Sequence, residues 1–326
     1  MTQDDRLKFV PEVIAQVGPK ASDRFLTFFT DKYRNKNTRM AYYRAAVGYF
    51  DWCERHGLTF EQIKSYHIST YLEEILNHPD ESQRKSKSTA KQALTTIRNL
   101  YDWLIVGQIL EVNPAQAVKG PKLVRKKGTT PFLEEDEAKK LIESIDTSTV
   151  FGLRDRAIIG VMTYTFARVG DVVGLNIIDY FHTGERWRLK LRHMKGGKDL
   201  DPPVHPKLGK YLDAYIEAAG IAGQKKAPLF RSISSTEFGR NRTLTEKRMH
   251  RTDVWRMIRR RAKDAGINAP IGCHTFRATG ITNFRKNGGS LNSARQMAGH
   301  ASERTTRMYD RTDDEVSLAE YERISI

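Results

Sequence analysis

Only two cysteines, Cys53 and Cys273, occur in 326 residues, too few for a disulfide framework or a CxxC-type metal cluster. A reducing compartment, the cytoplasm, fits. Long apolar runs are missing as well. The longest, AIIGVMTYTF at 157–166, is about half of a membrane span. The opening MTQDDRLKFV has neither the basic start nor the apolar core of an export signal, so neither export nor membrane insertion is expected. There is no internal repeat and no low-complexity tract. Acid is scarce: 39 Asp and Glu stand against 55 Lys and Arg, a net charge of +16. No carboxylate cluster stands ready to hold a pair of metal ions, so any phosphoryl chemistry falls to side chains.

The basic surplus draws polyanions at long range, and nucleic acid is the leading partner class. The length suits two domains, each with its own core. After an extension at 1–20, residues 21–118 read as a helical bundle. Tyr43, Val47, Phe50 and Trp52 recur at roughly helical spacing before a stop at Gly57. Ala93, Ile97, Leu100 and Leu104 share one face of a helix capped by Ser88. Residues 119–129 carry Lys119, Lys122, Arg125, Lys126 and Lys127 with no acid, broken by Gly120, Pro121 and Gly128. This stretch is a basic linker, either a solvated connector or a hinge between two basic domains.

The second domain, 130–326, opens with an acidic-started helix in TPFLEEDEAKKLIESI, followed by a buried helix in GLRDRAIIGVMTYTF. In RWRLKLRHMKGGKDLDPPV, Trp187, Leu189 and Leu191 alternate with Arg188, Lys190 and Arg192, and Gly196-Gly197 supplies a hairpin turn. The rest reads as helices.

HTFRATGITN places His274 and Arg277 on one side of a helix, which alone is only a basic face. RQMAGHASERTTRMYDR adds His300 and Tyr309 a short way on, and a Tyr preceded by two His and an Arg suggests a nucleophile with its phosphate-binding shell. In-line phosphodiester cleavage requires cations against the non-bridging oxygens and an acid for the departing one. Arg168 in TYTFARVGDVVGL supplies a second, never-titrating planar fork. Asp171 three positions later either orients that guanidinium or forms a surface salt bridge. Lys195 beside the Gly-Gly turn, or Lys198, is the candidate acid.

Together Arg168, Lys195, His274, Arg277, His300 and Tyr309 resemble the tyrosine recombinases, the phage-integrase family of Cre- and Xer-like site-specific enzymes. ARVGDVVGL is similar to its first arginine box, MKGGKD to its strand-turn lysine, HTFRATGITNFRKNGG to its HxxR box, and MAGHASERTTRMYDR to its closing segment. The likeness spans most of 130–310. Ala278 stands where many relatives have a second His, and Met297-Ala298 where a Leu pair is commoner.

The resemblance implies a mainly α fold with a small antiparallel β-sheet. A helical, SAM-like core-binding domain at the N-terminus would join an α+β catalytic domain in a C-shaped clamp on duplex DNA. It implies that Tyr309 attacks to give a 3′-phosphotyrosine and a free 5′-hydroxyl, without metal, ATP or other cofactor. Arg168 and Arg277 would hold phosphate oxygens, Lys195 would protonate the leaving oxygen, and His274 would assist proton transfer at the tyrosine or hydrogen-bond the phosphate. His300 would donate to the phosphate and Asp171 would brace the site. It further implies a homotetramer on two duplexes, closed by exchange of a tail helix at 313–326, in a prokaryotic cytoplasm and on mobile-element DNA.

In HRTDVWRMIRRRAKDAG, Val254, Trp255, Ile258 and Ala262 form an apolar side. Arg256, Arg259, Arg260 and Lys263 lie elsewhere and are candidates for DNA contact, as are Lys87, Lys91, Arg39, Lys122 and Arg125. Cys273 beside His274 makes no catalytic dyad, because consecutive helix positions do not face each other. A silent DNA-binding protein on this scaffold, or a type IB topoisomerase, are the competing readings.

Overall fold

In the computed structural model, residues 9–123, 128–192, 199–235 and 242–312 are described. The chain divides into two units, Met1–Arg125 and Lys126–Ile326.

Among its described residues the first unit is all helical: α1 (Glu12–Ala15), α2 (Pro19–Lys32), α3 (Lys36–Arg55), α4 (Ser65–Leu76) and α5 (Lys87–Val106). Its core is aromatic. Phe25, Phe28, Tyr49, Phe50 and Tyr101 are fully buried, with Phe25 edge-on to Phe29 at 5.1 Å and to Phe50 at 6.2 Å between ring centroids. Ser86, not Ser88, caps α5: its hydroxyl accepts the Thr89 backbone N–H at 3.1 Å. Both serines fit the composition rule, and only the one whose backbone stays extended can cap.

The second unit is built around α7 (Val150–Tyr164), in which Arg154, Asp155 and Ala157 to Met162 are all buried. Around it stand α6 (Glu135–Glu143), α8 (Val169–Gly174), α9 (Pro206–Ala218), α10 (Arg251–Asp264), α11 (Cys273–Lys286), α12 (Leu291–Met297) and α13 (Glu303–Arg307). Helices α9 and α11 pack directly on α7. Gly280 makes the α7–α11 contact possible, because a Cβ there would lie 2.2 Å from the Thr163 carbonyl oxygen and 2.8 Å from the Phe166 ring.

Strands β1 (Tyr180–Thr183) and β2 (Arg186–Leu189) pair antiparallel through a turn at Gly184, whose φ of 60° suits glycine. The expected hairpin thus gains a strand that the alternation rule missed. Leu191 and Leu200 form an antiparallel bridge on the far side, and the Gly196-Gly197 turn lies outside the described residues. Leu189 and Leu191 are buried, whereas Trp187 is 43% exposed, its ring stacked on Tyr180 at 4.4 Å.

A second antiparallel pair, β3 (Arg231–Ser235) with β4 (Arg242–Arg248), overturns the all-helical expectation for the remainder. One face is polar, with Ser232 paired to Thr245 at 2.6 Å and Ser234 to Thr243 at 2.8 Å, hydroxyl to hydroxyl, and the other carries the Ile233–Leu244 pair, whose Leu244 packs on the core. With one apolar residue on each strand, the ribbon offers too short an alternation to read from sequence.

Among the described residues no helix is long and apolar enough to cross a membrane.

Candidate active site

Helix α7 ends in a strained turn. Phe166 is buried and non-glycine yet has φ of 53°, a conformation that costs energy unless the surroundings hold it. Its carbonyl accepts a hydrogen bond from Arg277 Nη1. Two residues later Arg168 takes an extended backbone and starts α8. The Asp171 carboxylate accepts the Arg168 backbone N–H at 3.2 Å. Asp171 therefore braces the turn through its backbone, and no hydrogen bond joins it to the guanidinium among the described residues. Burial raises the Asp171 pKa against the opposing pull of that N–H and of the Arg168 and Arg277 charges.

Arg277 has no exposed surface. Its Nη2 donates to the Ala298 carbonyl at 2.6 Å and to His300 Nε2 at 2.5 Å. Burial first, then the neighbouring Arg168 charge, lower its pKa to about 10, so it stays cationic at neutral pH. One turn earlier, His274 stands at the surface of α11, beside a cleft of about 480 Å³ walled by Thr130, Pro131, Trp255 and Gly272. Desolvation and then the Arg277 and Arg168 charges lower its pKa, leaving a neutral ring able to accept a proton.

Helix α12 is ended by Gly299 at φ of 58°, which turns the next residue back into the site. His300 is 5% exposed. Its Nε2 accepts from Arg277, so its Nδ1–H donates to Thr306 Oγ1 at 3.0 Å. Burial, Arg277 and Arg168 push its pKa down to about 3. Both ring nitrogens are engaged, which leaves His300 without the free donor expected for a phosphate oxygen. The Tyr309 ring stacks on His300 at 5.5 Å and 15°, lies 6.3 Å from that of His274, and has the Arg277 guanidinium carbon 5.6 Å from its centre.

The fold thus brings Arg168, Asp171, His274, Arg277, His300 and Tyr309 together. Lys195 and Lys198 lie outside the described residues, as do Arg125 and the tail at 313–326. Two guanidinium donors at the site, Arg168 Nη1 and Arg277 Nε, are buried without a hydrogen-bond partner. Such donors cost free energy until an acceptor arrives.

The sequence pattern missed Thr306, Thr282 and the Phe166 and Ala298 carbonyls. Thr282 donates to the Tyr309 carbonyl at 3.1 Å. Backbone acceptors leave no residue-type signal, and the Thr306 and Thr282 hydroxyls read as ordinary helix residues.

The basic candidates separate. On α10, Arg259 and Lys263 are exposed, Arg256 pairs with Asp253 at 3.2 Å, and Arg260, half exposed, reaches buried Asp155 at 3.2 Å. Trp255, expected on the apolar side, is 52% exposed. In the first unit Lys87 and Lys91 are exposed, whereas half-buried Arg39 donates to the Tyr33 carbonyl at 3.1 Å. Lys122 is exposed.

Comparison with known proteins gives consistent matches. A phage integrase family model matches residues 131–315, and a phage integrase N-terminal SAM-like domain model matches residues 23–107. Tyrosine recombinase XerD of Oceanobacillus iheyensis is 27% identical over 279 residues, 84% of this chain and 86% of that protein. Tyrosine recombinase XerC of Thermodesulfovibrio yellowstonii is 31% identical over 230 residues, 70% of this chain and 73% of that one. Among solved structures, a lambda integrase dimer bound to a COC′ core site superposes with a TM-score of 0.66 at 19% identity, covering 91% of this chain and 79% of that one. The XerH recombinase bound to a palindromic difH substrate gives 0.65 at 17%, covering 87% and 78%.

Proposed function

The chain belongs to the phage integrase family, and from that premise we propose that it is a site-specific tyrosine recombinase that cleaves and rejoins duplex DNA with Tyr309 as nucleophile. The observation that carries this reading is the pair of buried, unpartnered guanidinium donors, Arg168 Nη1 and Arg277 Nε, at the site that holds Tyr309. Two cations crowded beside a single carboxylate, Asp171, keep surplus positive charge that favours a phosphodiester, most of all as negative charge grows in the transition state.

The Tyr309 oxygen attacks phosphorus, a Tyr–O–P bond forms, and the bond to the 5′-oxygen breaks. The tyrosine proton passes to neutral His274, and the leaving oxygen takes a proton from Lys195 or Lys198. A 5′-hydroxyl from the partner strand reverses the step, so one phosphodiester replaces another and no ATP is consumed. The arginines supply the positive charge that a metal ion would otherwise bring. His300 acts here as a positioning residue: it accepts from Arg277 and holds that guanidinium and the Tyr309 ring.

Exposed Arg259 and Lys263 of α10 are suited to duplex phosphates or base edges. Assembly as a tetramer on two duplexes, closed by the tail at 313–326, belongs to the same reading. A lambda integrase tetramer bound to a Holliday junction shares the fold at a TM-score of 0.66, which supports it. Deleting 313–326 is expected to abolish cooperative synapsis.

The test is incubation with nicked fragments from the DNA flanking the protein's own gene. A covalent adduct on a denaturing gel, lost in Tyr309→Phe, is expected. Tight binding with no adduct on any fragment favours a silent DNA-binding protein, and relaxation of plasmids lacking a target site favours a topoisomerase.

A further inference from the structure

Resting on the reading of Tyr309 as nucleophile, we propose that Arg311 is a positioning residue that latches the Tyr309 segment to residues 128–130, where the chain enters the catalytic unit.

Arg311 is 7% exposed. Its Nη2 donates to the Gly128 carbonyl and, at 3.0 Å, to the Thr130 carbonyl. The two strands of chain are in backbone contact: a Cβ on Gly128 would fall 1.7 Å from the carbonyl oxygen of Met308, the residue before the nucleophile. Thr129, Thr130 and Pro131 also wall the cleft into which His274 opens. One short segment therefore touches the nucleophile's backbone on one side and the proton-handling histidine's cleft on the other.

The opposite side of the Tyr309 segment is tied to α11. Thr282 donates to the Tyr309 carbonyl at 3.1 Å, and Arg285 pairs with Asp310 at 2.9 Å. Helix α11 also carries His274 and Arg277, so that side moves with the phosphate-binding groups. The adjustable side is the one held by Arg311. A guanidinium bonded to two backbone carbonyls responds to where that backbone lies, since the acceptors carry no net charge to be screened or titrated. A shift of the entering chain, such as engagement of the preceding unit with DNA would impose, is passed to Met308 and Tyr309. An ångström-scale displacement at an attacking oxygen changes a rate by about a hundredfold.

The test uses the full chain with Arg311→Gln, Arg311→Lys or Gly128→Ala on the nicked fragment that traps the wild-type adduct. Single-turnover adduct formation, the dissociation constant for that fragment and the melting temperature are measured side by side. Arg311→Gln and Gly128→Ala are expected to slow the adduct by about tenfold or more and to lower the melting temperature somewhat, since one leaves carbonyls without a donor and the other displaces the Met308 backbone, with affinity and the shape of the rate's pH profile unchanged. Arg311→Lys, which keeps a donor long enough to reach one carbonyl, recovers part of the rate. Wild-type adduct rates in both Arg311→Gln and Gly128→Ala overturn the proposal. So does a parallel fall of rate, affinity and melting temperature in both, which marks a purely structural contact. A wild-type protein that forms no Tyr309-dependent adduct instead overturns the reading of the nucleophile itself.

Discussion

At the scale of single residues, the site is a set of groups whose ordinary properties are bent by burial. His300 is the clearest case. Its ring is held neutral, with a pKa pushed down to about 3 by burial and by Arg277 and Arg168, because a protonated ring could not accept from Arg277. An unfolded chain binds that proton near the usual histidine value. Between the two values the unfolded state holds more protons, so stability falls as pH falls through this window and is fully restored above it. The lowered pKa of His274 acts in the same direction. Melting temperature followed from about pH 8 to about pH 5 should therefore drop more steeply in wild type than in His300→Gln, which has no titrating ring. Equal slopes would show that His300 is not held neutral. The residue types of this site were legible in the sequence because chemistry demands Arg, His and Tyr. The division of labour was not: that Asp171 binds a backbone N–H and His300 faces Arg277 depends on which way two turns run.

At the scale of elements, α7 is tied to α10 by one carboxylate. Asp155, fully buried, accepts from Arg154 at 2.8 Å, from Arg261 at 2.8 Å and from Arg260 at 3.2 Å. Arg154 itself is 1% exposed and also donates to the Arg231 carbonyl at the start of β3. Removing the single negative charge leaves a buried cation uncompensated. Asp155→Asn is expected to cost about 3 to 5 kcal/mol, a fall of roughly 10 °C in melting temperature, visible in a thermal melt. A loss below about 1 kcal/mol, the worth of a surface pair, would contradict this role. The same elements show where reading from sequence stops. The buried α7 is marked by its apolar run and α11 by the spacing of His274 and Arg277. The β3–β4 ribbon is not, because Ser–Thr cross-strand pairs leave Ile233 and Leu244 as its single apolar pair, too little alternation to mark a strand. Strand β1 was hidden in YFHT, whose pairing with β2 is set by Gly184.

At the scale of the whole molecule, the net charge of +16 makes DNA association a counterion-release process, with affinity falling as salt rises. The structure separates residues that composition could not. Arg259 is exposed, whereas Arg260 is already engaged by Asp155. Arg259→Ala should lower the slope of log affinity against log salt by about one, and Arg260→Ala by less. Equal reductions would mean that Asp155 does not hold Arg260 back.

In the proposed reaction Tyr309, whose ring lies among Arg277 and the two histidines, attacks DNA directly. That step is tested most directly by trapping the adduct in the presence of a chelator and asking which DNA end is joined. Expected are an undiminished adduct through the 3′-phosphate, a released strand whose free 5′-hydroxyl accepts label from a polynucleotide kinase, and a DNA-bearing peptide that contains Tyr309. An adduct through the 5′-phosphate, on another residue, or lost with the chelator would contradict the proposed reaction.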